Sequence, residues 1–357
     1  MKLSLCMIVK NEAEVLARAL ENARVFADEI VIVDTGSTDG TAELARKLAD
    51  KTASFKWCDD FSAARNFADS LATGDYRMWL DADDVVSLPT AKGISKLMRT
   101  LDPAVDVVML PYVLDRDERG APKFSYYRER IVKNRADFAW RGRVHEAITL
   151  HGNIIRAKPT ILHAKPQGRV TGTRNLDIYR KMDAGGHTFE PRELYYYARE
   201  LYYNGEYRAS AERFEKFLGL SVGYAPNDID ACLMLSRCYR QLGEKNKAYT
   251  PLFASFEFAL PTGEVCCEIA LMLFADGDYK RAAYWFKRAA QAKPDLGSGA
   301  FVDYDCYGFL PYIWLTVCYD KLGDRRTAYY WHRRARKLRP NHPSVISNQT
   351  YFESIGY

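Results

Sequence analysis

Residues 81–84 read Asp-Ala-Asp-Asp and follow directly on the apolar run Met78-Trp79-Leu80. Asp81 and Asp83 lie two positions apart on what should be extended backbone. One carboxylate there can bind a divalent cation while the other contacts a sugar or ribose, and hard oxygen donors with open positions suit Mg²⁺ or Mn²⁺ shared with substrate phosphates. A trio of like charges at a strand end is costly unless a cation offsets the repulsion. Asp34 ends another apolar run and opens Thr35-Gly36-Ser37-Thr38-Asp39-Gly40, a turn-forming cluster. Arg65 and Asn66 fall between the two acidic segments. Further along come Arg130, the adjacent His145 and Glu146, and His163. Each has a purely structural alternative. Asp34 to Asp39 can be an Asx-rich turn, Arg65 a surface charge on the helix after Phe61, and His163 a buried hydrogen-bonded histidine at a strand end.

The elements that must hold these residues alternate β-branched runs with helical periodicity, the pattern of βαβ units and a mostly parallel sheet. Leu3 to Val9 reads as the first strand. Val15, Leu16, Ala19, Leu20 and Ala23 then recur at helical spacing, with Glu12 and Glu14 expected in the first turn of that helix. Glu29 to Asp34 is the second strand, a helix is expected from Thr41, and Tyr76 to Leu80 is a strand running into Asp81. A helix near Ala91 to Leu101 and a strand over Val105 to Leu110 follow. Asp115 to Pro122 reads as a turn between strands, Phe124 to Val144 has no firm assignment, and Thr160 to His163 closes the unit. In such sheets ligands bind outside the carboxyl ends of the strands, where Asp34 and Asp81 both fall.

With 357 residues the chain is long enough for two cores. Hydrophobic residues make up 48% and charged residues 27%, an ordinary globular balance. A net charge of +5 without a long Lys/Arg run argues against nucleic acid as a partner. Leu3 to Val9 is too short for a signal-peptide core or a membrane span, so a cytoplasmic protein is expected. Eight cysteines without a CxxC pair are expected to be reduced and mostly buried.

The second half repeats a unit: Gly, a small residue five positions on, an apolar or aromatic residue nine on. Gly277, Ala282 and Phe286 fit, as do Gly323, Ala328 and His332, Gly205, Ser210 and Phe214, and Gly243, Ala248 and Leu252. Seven residues before the glycines stand Ala198, Ser236, Ala270 and Thr316. Small residues at those sites let antiparallel helices approach closely, and the Gly ends the first helix of each pair. The offsets resemble tetratricopeptide repeats. The segment Asp295 to Leu310 interrupts the array. The expected division is a catalytic domain over 1–165, a connector over 166–192, repeats over 193–340 and a tail over 341–357.

Four segments, Met7-Ile-Val-Lys-Asn-Glu12, Val33-Asp-Thr-Gly-Ser-Thr-Asp-Gly-Thr41, Ala64-Arg-Asn66 and Trp79-Leu-Asp-Ala-Asp-Asp84, resemble in order the motifs of family 2 glycosyltransferases with the GT-A fold. Trp140-Arg-Gly-Arg-Val-His-Glu146 and Ile161-Leu-His163, followed by the repeats, are similar to a bacterial branch that glycosylates peptides and flagellin. The resemblance implies a nucleotide-sugar site in which Asp34 contacts the base, with Gly36 and Asp39 in the same loop and Arg65 and Asn66 in the nucleotide pocket. It makes Asp83 the main metal ligand and Asp81 its partner toward ribose or metal, with Asp84 beside them at the nucleotide sugar. Arg130 reaches the diphosphate, and His163 completes the metal shell. Glu146 is the candidate base, with His145 the alternative base or a diphosphate contact. No QxxRW motif of processive synthases is present, so transfer of a single sugar is expected. The donor would be a UDP-sugar or another nucleotide sugar with Mn²⁺ or Mg²⁺. The acceptor would be a Ser, Thr or Tyr hydroxyl or a Cys thiol of a protein or peptide held in the repeat groove. A surface-glycan precursor as acceptor, with the repeats serving for homodimerisation or docking, is the enzyme alternative; a repeat adaptor that binds nucleotide sugar without turnover is the non-catalytic one.

Overall fold

The computed structural model describes residues 1–164, 172–221, 224–295 and 297–357. It divides into two compact units, one of Met1–Asp115 with Ser125–Phe189, the other of Arg116–Phe124 with Glu190–Tyr357.

In the first unit the chain runs β1 (Leu3–Val9), α1 (Leu16–Leu20), β2 (Glu29–Asp34), α2 (Thr41–Leu48), β3 (Lys51–Ser54), α3 (Phe61–Ser70), β4 (Tyr76–Trp79), β5 (Asp84–Val85) and α4 (Leu88–Thr100). It continues through β6 (Val107–Arg116), β7 (Pro122–Lys133), β8 (Trp140–Arg141), β9 (Ala147–Ile148), β10 (Ile154–Arg156), β11 (Ile161–His163) and α5 (Arg174–Ala184). The main sheet has the order β3-β2-β1-β4-β7-β6-β11-β5. β1 pairs in parallel with β2 on one side and β4 on the other. That is why β1 is a continuous apolar run rather than an alternating one: both of its faces are covered. Leu3, Leu5, Met7 and Val9 pack with Leu16, Ala45, Ile94 and Met98 of α1, α2 and α4. Cys6 faces the other way, onto Val31, Val33 and Ala68 of α3. The register sets Val9 opposite Asp34 and Cys6 opposite Trp79, so the loops after β1, β2 and β4 leave the same edge. The chain reverses direction across the sheet at β1, the position at which open α/β sheets bind ligands.

Several elements differ from expectation. The helix expected from Val15 is reduced to five residues and a 3₁₀ turn at Ala23–Val25, with Glu12 and Glu14 ahead of it. The cause lies in the preceding loop, where backbone N–H groups of Asn11, Glu12 and Ala13 donate to Ser37 Oγ, Thr41 Oγ1 and Asp39 Oδ2 and hold the chain out of helical form. β3 is a polar strand at the sheet edge, without an apolar run to announce it. The strand expected over Val105 to Leu110 runs instead over Val107–Arg116, and β7 with the short β8 fills much of the stretch without assignment. Part of the expected connector lies outside the described residues. Its remainder holds α5, whose Leu176, Tyr179 and Met182 are buried.

Glu29, at the start of β2, ties three segments together. Its carboxylate accepts from Ser4 Oγ (2.5 Å), Thr73 N (2.8 Å) and Thr73 Oγ1 (2.9 Å), and pairs with Lys51 (2.7 Å). Partial burial raises its pKa, but Lys51, Ser4 and Thr73 together bring it down to about 2. A depressed folded-state pKa gives stability that is complete above the unfolded value near 4.5 and is lost as pH falls toward 2. Replacing Glu29 by Gln should therefore cost ~2 kcal/mol at pH 7 and little at pH 2, read from urea midpoints at the two pH values.

The second unit stacks helix pairs: α6 (Pro191–Tyr203) with α7 (Tyr207–Gly219), α8 (Ala225–Gln241) with α9 (Lys245–Ala254), α10 (Gly263–Ala275) with α11 (Tyr279–Gln291), and α12 (Phe309–Lys321) with α13 (Arg325–Leu338). Gly205, Gly243, Gly277 and Gly323 end the first helix of each pair at φ 80°, 75°, 76° and 81°, the left-handed region that glycine enters without strain. Ala198, Ser236, Ala270, Thr316, Ser210, Ala248, Ala282 and Ala328 are all buried, and Ser210 Oγ donates to Ala198 O (2.7 Å) across the first pair. The interruption between α11 and α12 includes a short strand, β12 (Val302–Asp303), and a 3₁₀ helix at Tyr304–Tyr307. The expected tail is instead a helix, α14 (Pro343–Ser354), which buries Val345 and Phe352. All eight cysteines are free; seven are buried and Cys58 is exposed. No helix of the described residues is long and apolar enough to cross a membrane.

Candidate active site

β4 ends at Trp79, and the chain turns at once. Asp84 N donates to Asp81 O (3.0 Å) while Asp81 N donates to Asp84 Oδ2 (3.0 Å), so the Asp84 side chain folds back into its own turn. From β7, Arg130 Nη1 donates to Asp84 Oδ2 (2.8 Å) and to Trp79 O (3.2 Å). The guanidinium lies 3.8 Å from the centre of the Trp79 ring and 4.3 Å from that of Tyr112. Both partners of this ion pair are completely buried. Burial pushes the Asp84 carboxyl up, but Arg130 prevails and holds it below the usual range. This corrects the sequence reading of Arg130, whose charge is committed to Asp84 and the two rings with no exposed face for a diphosphate. It also corrects Asp84, which is an interior residue of the turn rather than a surface contact to the nucleotide sugar.

The other oxygen of that carboxylate, Asp84 Oδ1, is buried and accepts no hydrogen bond among the described residues. It lies 3.8 Å from His163 Nδ1, which is 3.5 Å from Asp83 Oδ1 and 2.9 Å from the Tyr112 hydroxyl. Antiparallel pairing of β11 with β5 sets His163 directly opposite Asp84. Asp83, Asp84 and His163 thus offer three ligand atoms within 4.8 Å of one another. Burial raises the Asp83 carboxyl, with Asp81 and Asp84 adding to the effect against His163. Asp84, whose Oδ1 stands 3.8 Å away, raises His163 most, and the carboxylates of Asp83 and Asp81 add to it. Two carboxylates and an imidazole, one with an orphaned buried oxygen, are a donor set that fits a divalent cation.

Asp81, expected as the second metal ligand, stands outside that triad. Its Oδ1 accepts from Arg65 Nη2 (2.7 Å), and Arg65 Nε donates to Glu146 Oε1 (2.5 Å). α3 positions Arg65; its Asp60 cap accepts from Ala63 N. Trp79 and Trp140 each present a ring 4.9 Å from the guanidinium. Burial disfavours the Arg65 charge, but Asp81 and Glu146 outweigh it. Arg65 is therefore a buried link between the carboxylate turn and the candidate base. Asn66 accepts from Trp140 N (2.8 Å) and donates to Trp140 O (3.0 Å), joining α3 to β8.

The candidate base sits on a compact loop. Gly142 at φ 95° and His145 at φ 52° take left-handed backbone, and Arg143 O accepts from Phe61 N at the head of α3. The loop therefore brings Glu146 to Arg65, with His145 adjacent in the chain. In the loop after β2 both oxygens of Asp34 accept from Ser37 N at 3.0 Å, three residues on, which fixes the carboxylate within its own turn. Gly36 at φ 103° has open space where a side chain would stand. Asp39 accepts from Thr41 Oγ1 (2.5 Å) and Thr41 N (3.1 Å), and the Thr41 hydroxyl above all holds its carboxyl below the usual range. Sequence reasoning missed Tyr112, which touches both His163 and Arg130; a tyrosine in an apolar strand carries no signal of that. Trp79 and Trp140 were within reach as the flanks of two motifs, and their rings meet edge to face at 5.2 Å.

Fold and site define a two-part chain: an α/β unit with an acidic, histidine-bearing site at its strand ends, and an array of helix pairs. Residues 4–158 match the family described as Glycosyl transferase family 2. A TPR repeat-containing protein of Synechococcus elongatus is 29% identical over 299 residues, covering 82% of this chain and 67% of that protein. The SPbeta prophage-derived glycosyltransferase SunS of Bacillus subtilis is 30% identical over 39% of this chain and 33% of its own length. An uncharacterized glycosyltransferase of Rickettsia conorii is 36% identical over 24% of this chain and 30% of its own length. The chain thus spans about a third of these two glycosyltransferases. Among solved structures, MamA is similar at a TM-score of 0.37 and 16% identity, covering 46% of this chain and 85% of that one. At that score the likeness carries no argument. Residues 4–158 thus match a family 2 glycosyltransferase domain, and an array of helix pairs with left-handed glycines at fixed places follows it.

Proposed function

We propose that this chain is an inverting glycosyltransferase that moves one sugar from a nucleotide sugar, a UDP-sugar in the first instance, to a protein or peptide side chain. The observation that carries the reading is the Asp83, Asp84 and His163 triad with its orphaned Asp84 oxygen, next to an Arg65 that links Asp81 to Glu146. Asp83, Asp84 and His163 would hold Mn²⁺ or Mg²⁺, and such an ion supplies Lewis-acid stabilisation of the departing nucleoside diphosphate. Asp81 faces the ribose, and the loop of Asp34, Gly36 and Asp39 takes the base. Glu146 receives the acceptor's proton as its oxygen or sulfur bonds to the anomeric carbon and the bond to the diphosphate breaks. Arg65 fixes where that carboxylate stands. The acceptor side chain belongs to a protein or peptide held by the repeats.

Incubation with a panel of nucleotide sugars, Mn²⁺ and lysate of the native host, followed by mass spectrometry, tests the reading. A peptide gaining one hexose or N-acetylhexosamine mass supports it; donor turnover seen only with lipid-linked glycan overturns the acceptor assignment. Glu146→Gln should lower kcat by about 10²- to 10⁴-fold, while UDP with Mn²⁺ still raises the melting temperature as in the parent. A loss of that size in His145→Ala, with Glu146→Gln near normal, would give the base role to His145.

A further inference from the structure

The chain's positive charge is not spread over it. Residues 325–357 hold seven Lys and Arg against the single carboxylate of Glu353, a balance of +6, so the remaining 324 residues are close to neutral at −1 although the whole chain is +5. A mild overall charge conceals this segregation. Six of the seven, Arg325, Arg326, Arg333, Arg334, Arg336 and Lys337, lie on α13, and all six are exposed. None of the six forms a salt bridge among the described residues; Arg334 bonds instead to the hydroxyls of Tyr330 and Tyr312, and Arg336 to Gln349. Arg326, Tyr330, Arg333 and Lys337 follow one another at i, i+4, i+7 and i+11, a single stripe along the helix. Exposed apolar groups occur within it and on the adjoining elements: Tyr330 at 51% in the stripe itself, Leu322 at 45% in the turn before α13, and Ile346 at 53% on α14. Cations crowded on one face repel one another, and an anionic partner relieves that repulsion.

We propose that the outer face of α13, with Leu322 of the preceding turn and Ile346 of α14, docks this protein onto an anionic phospholipid surface. Charge complementarity names an anion, and the neighbouring exposed apolar side chains favour a bilayer, which offers phosphates and acyl chains side by side, over a nucleic-acid backbone. No group proposed for sugar transfer takes part, so the inference stands or falls independently of that reading.

Sedimentation of the full chain with vesicles tests it. At 50 mM salt the protein should bind vesicles of phosphatidylcholine with 30% phosphatidylglycerol at least tenfold more tightly than pure phosphatidylcholine, and 0.5 M salt should release it. Arg326→Glu with Arg333→Glu and Lys337→Glu should lower that binding at least tenfold while melting temperature and donor hydrolysis stay as in the parent. If the triple reversal does not fold, Arg333→Gln with Lys337→Gln should give a smaller loss in the same direction. Equal binding to both vesicle types, or binding unchanged by the substitutions, overturns the proposal. So does tighter binding to a duplex RNA oligonucleotide at equal phosphate concentration, which assigns the face to nucleic acid.

Discussion

Asp83→Asn is expected to lower sugar transfer by about a hundred- to a thousandfold at saturating Mn²⁺, with the melting temperature unchanged. The magnitude is that of losing one preorganised electrostatic contact to a developing charge, about 2.7 to 4 kcal/mol in the barrier. The fold should tolerate the change because Asp83 is partly exposed, accepts no hydrogen bond that closes the turn, and faces His163 at 3.5 Å. Turn geometry depends on Asp84 and on backbone groups. Steady-state transfer with varied Mn²⁺, set beside circular dichroism, checks both halves. Near-parental turnover in the variant would remove Asp83 from the metal site.

Arg130→Met should have the opposite signature. Removing one partner of a completely buried ion pair leaves the other charge uncompensated, which typically costs about 3 to 5 kcal/mol. For a unit of this size that lowers the melting temperature on the order of 10 °C. Arg130→Met with Asp84→Asn should recover part of the loss, since the double change leaves no lone buried charge. Thermal melts of the two single variants and the double variant measure the coupling. A stable Arg130→Met protein that no longer binds UDP with Mn²⁺ would instead restore the diphosphate contact expected from the sequence.

The contrast between these two residues marks where sequence reading succeeds. Strand ends were legible because β1, β2 and β4 are apolar runs that stop abruptly at polar loops, and burial on both faces writes itself into the sequence. The repeat pairs were legible because each requires a left-handed residue at a fixed place and small residues at each crossing. What a side chain does at the site was less legible. Arg65, Asn66 and Arg130 are polar residues beside motifs, and a motif does not say whether a side chain points to a ligand or to a neighbouring element. Asn66 is engaged by the backbone of Trp140, 74 positions away, and Arg130 by Asp84, 46 positions away, both set by packing no local pattern encodes. α5 and α14 carry few apolar positions and so read in the sequence as connector and tail.

The committed pairs leave a definite electrical remainder at the strand ends. Asp81, Asp83, Asp84 and Glu146 bring four negative charges, and Arg65 and Arg130 bring two positive ones, so with His163 neutral the group stands at minus two. That is the charge of one divalent cation with the sign reversed. A monovalent ion would leave the strand ends repelling a diphosphate, whereas a divalent ion brings them to neutrality. A diphosphate is then expected to enter after or together with a divalent cation and to bind poorly without one.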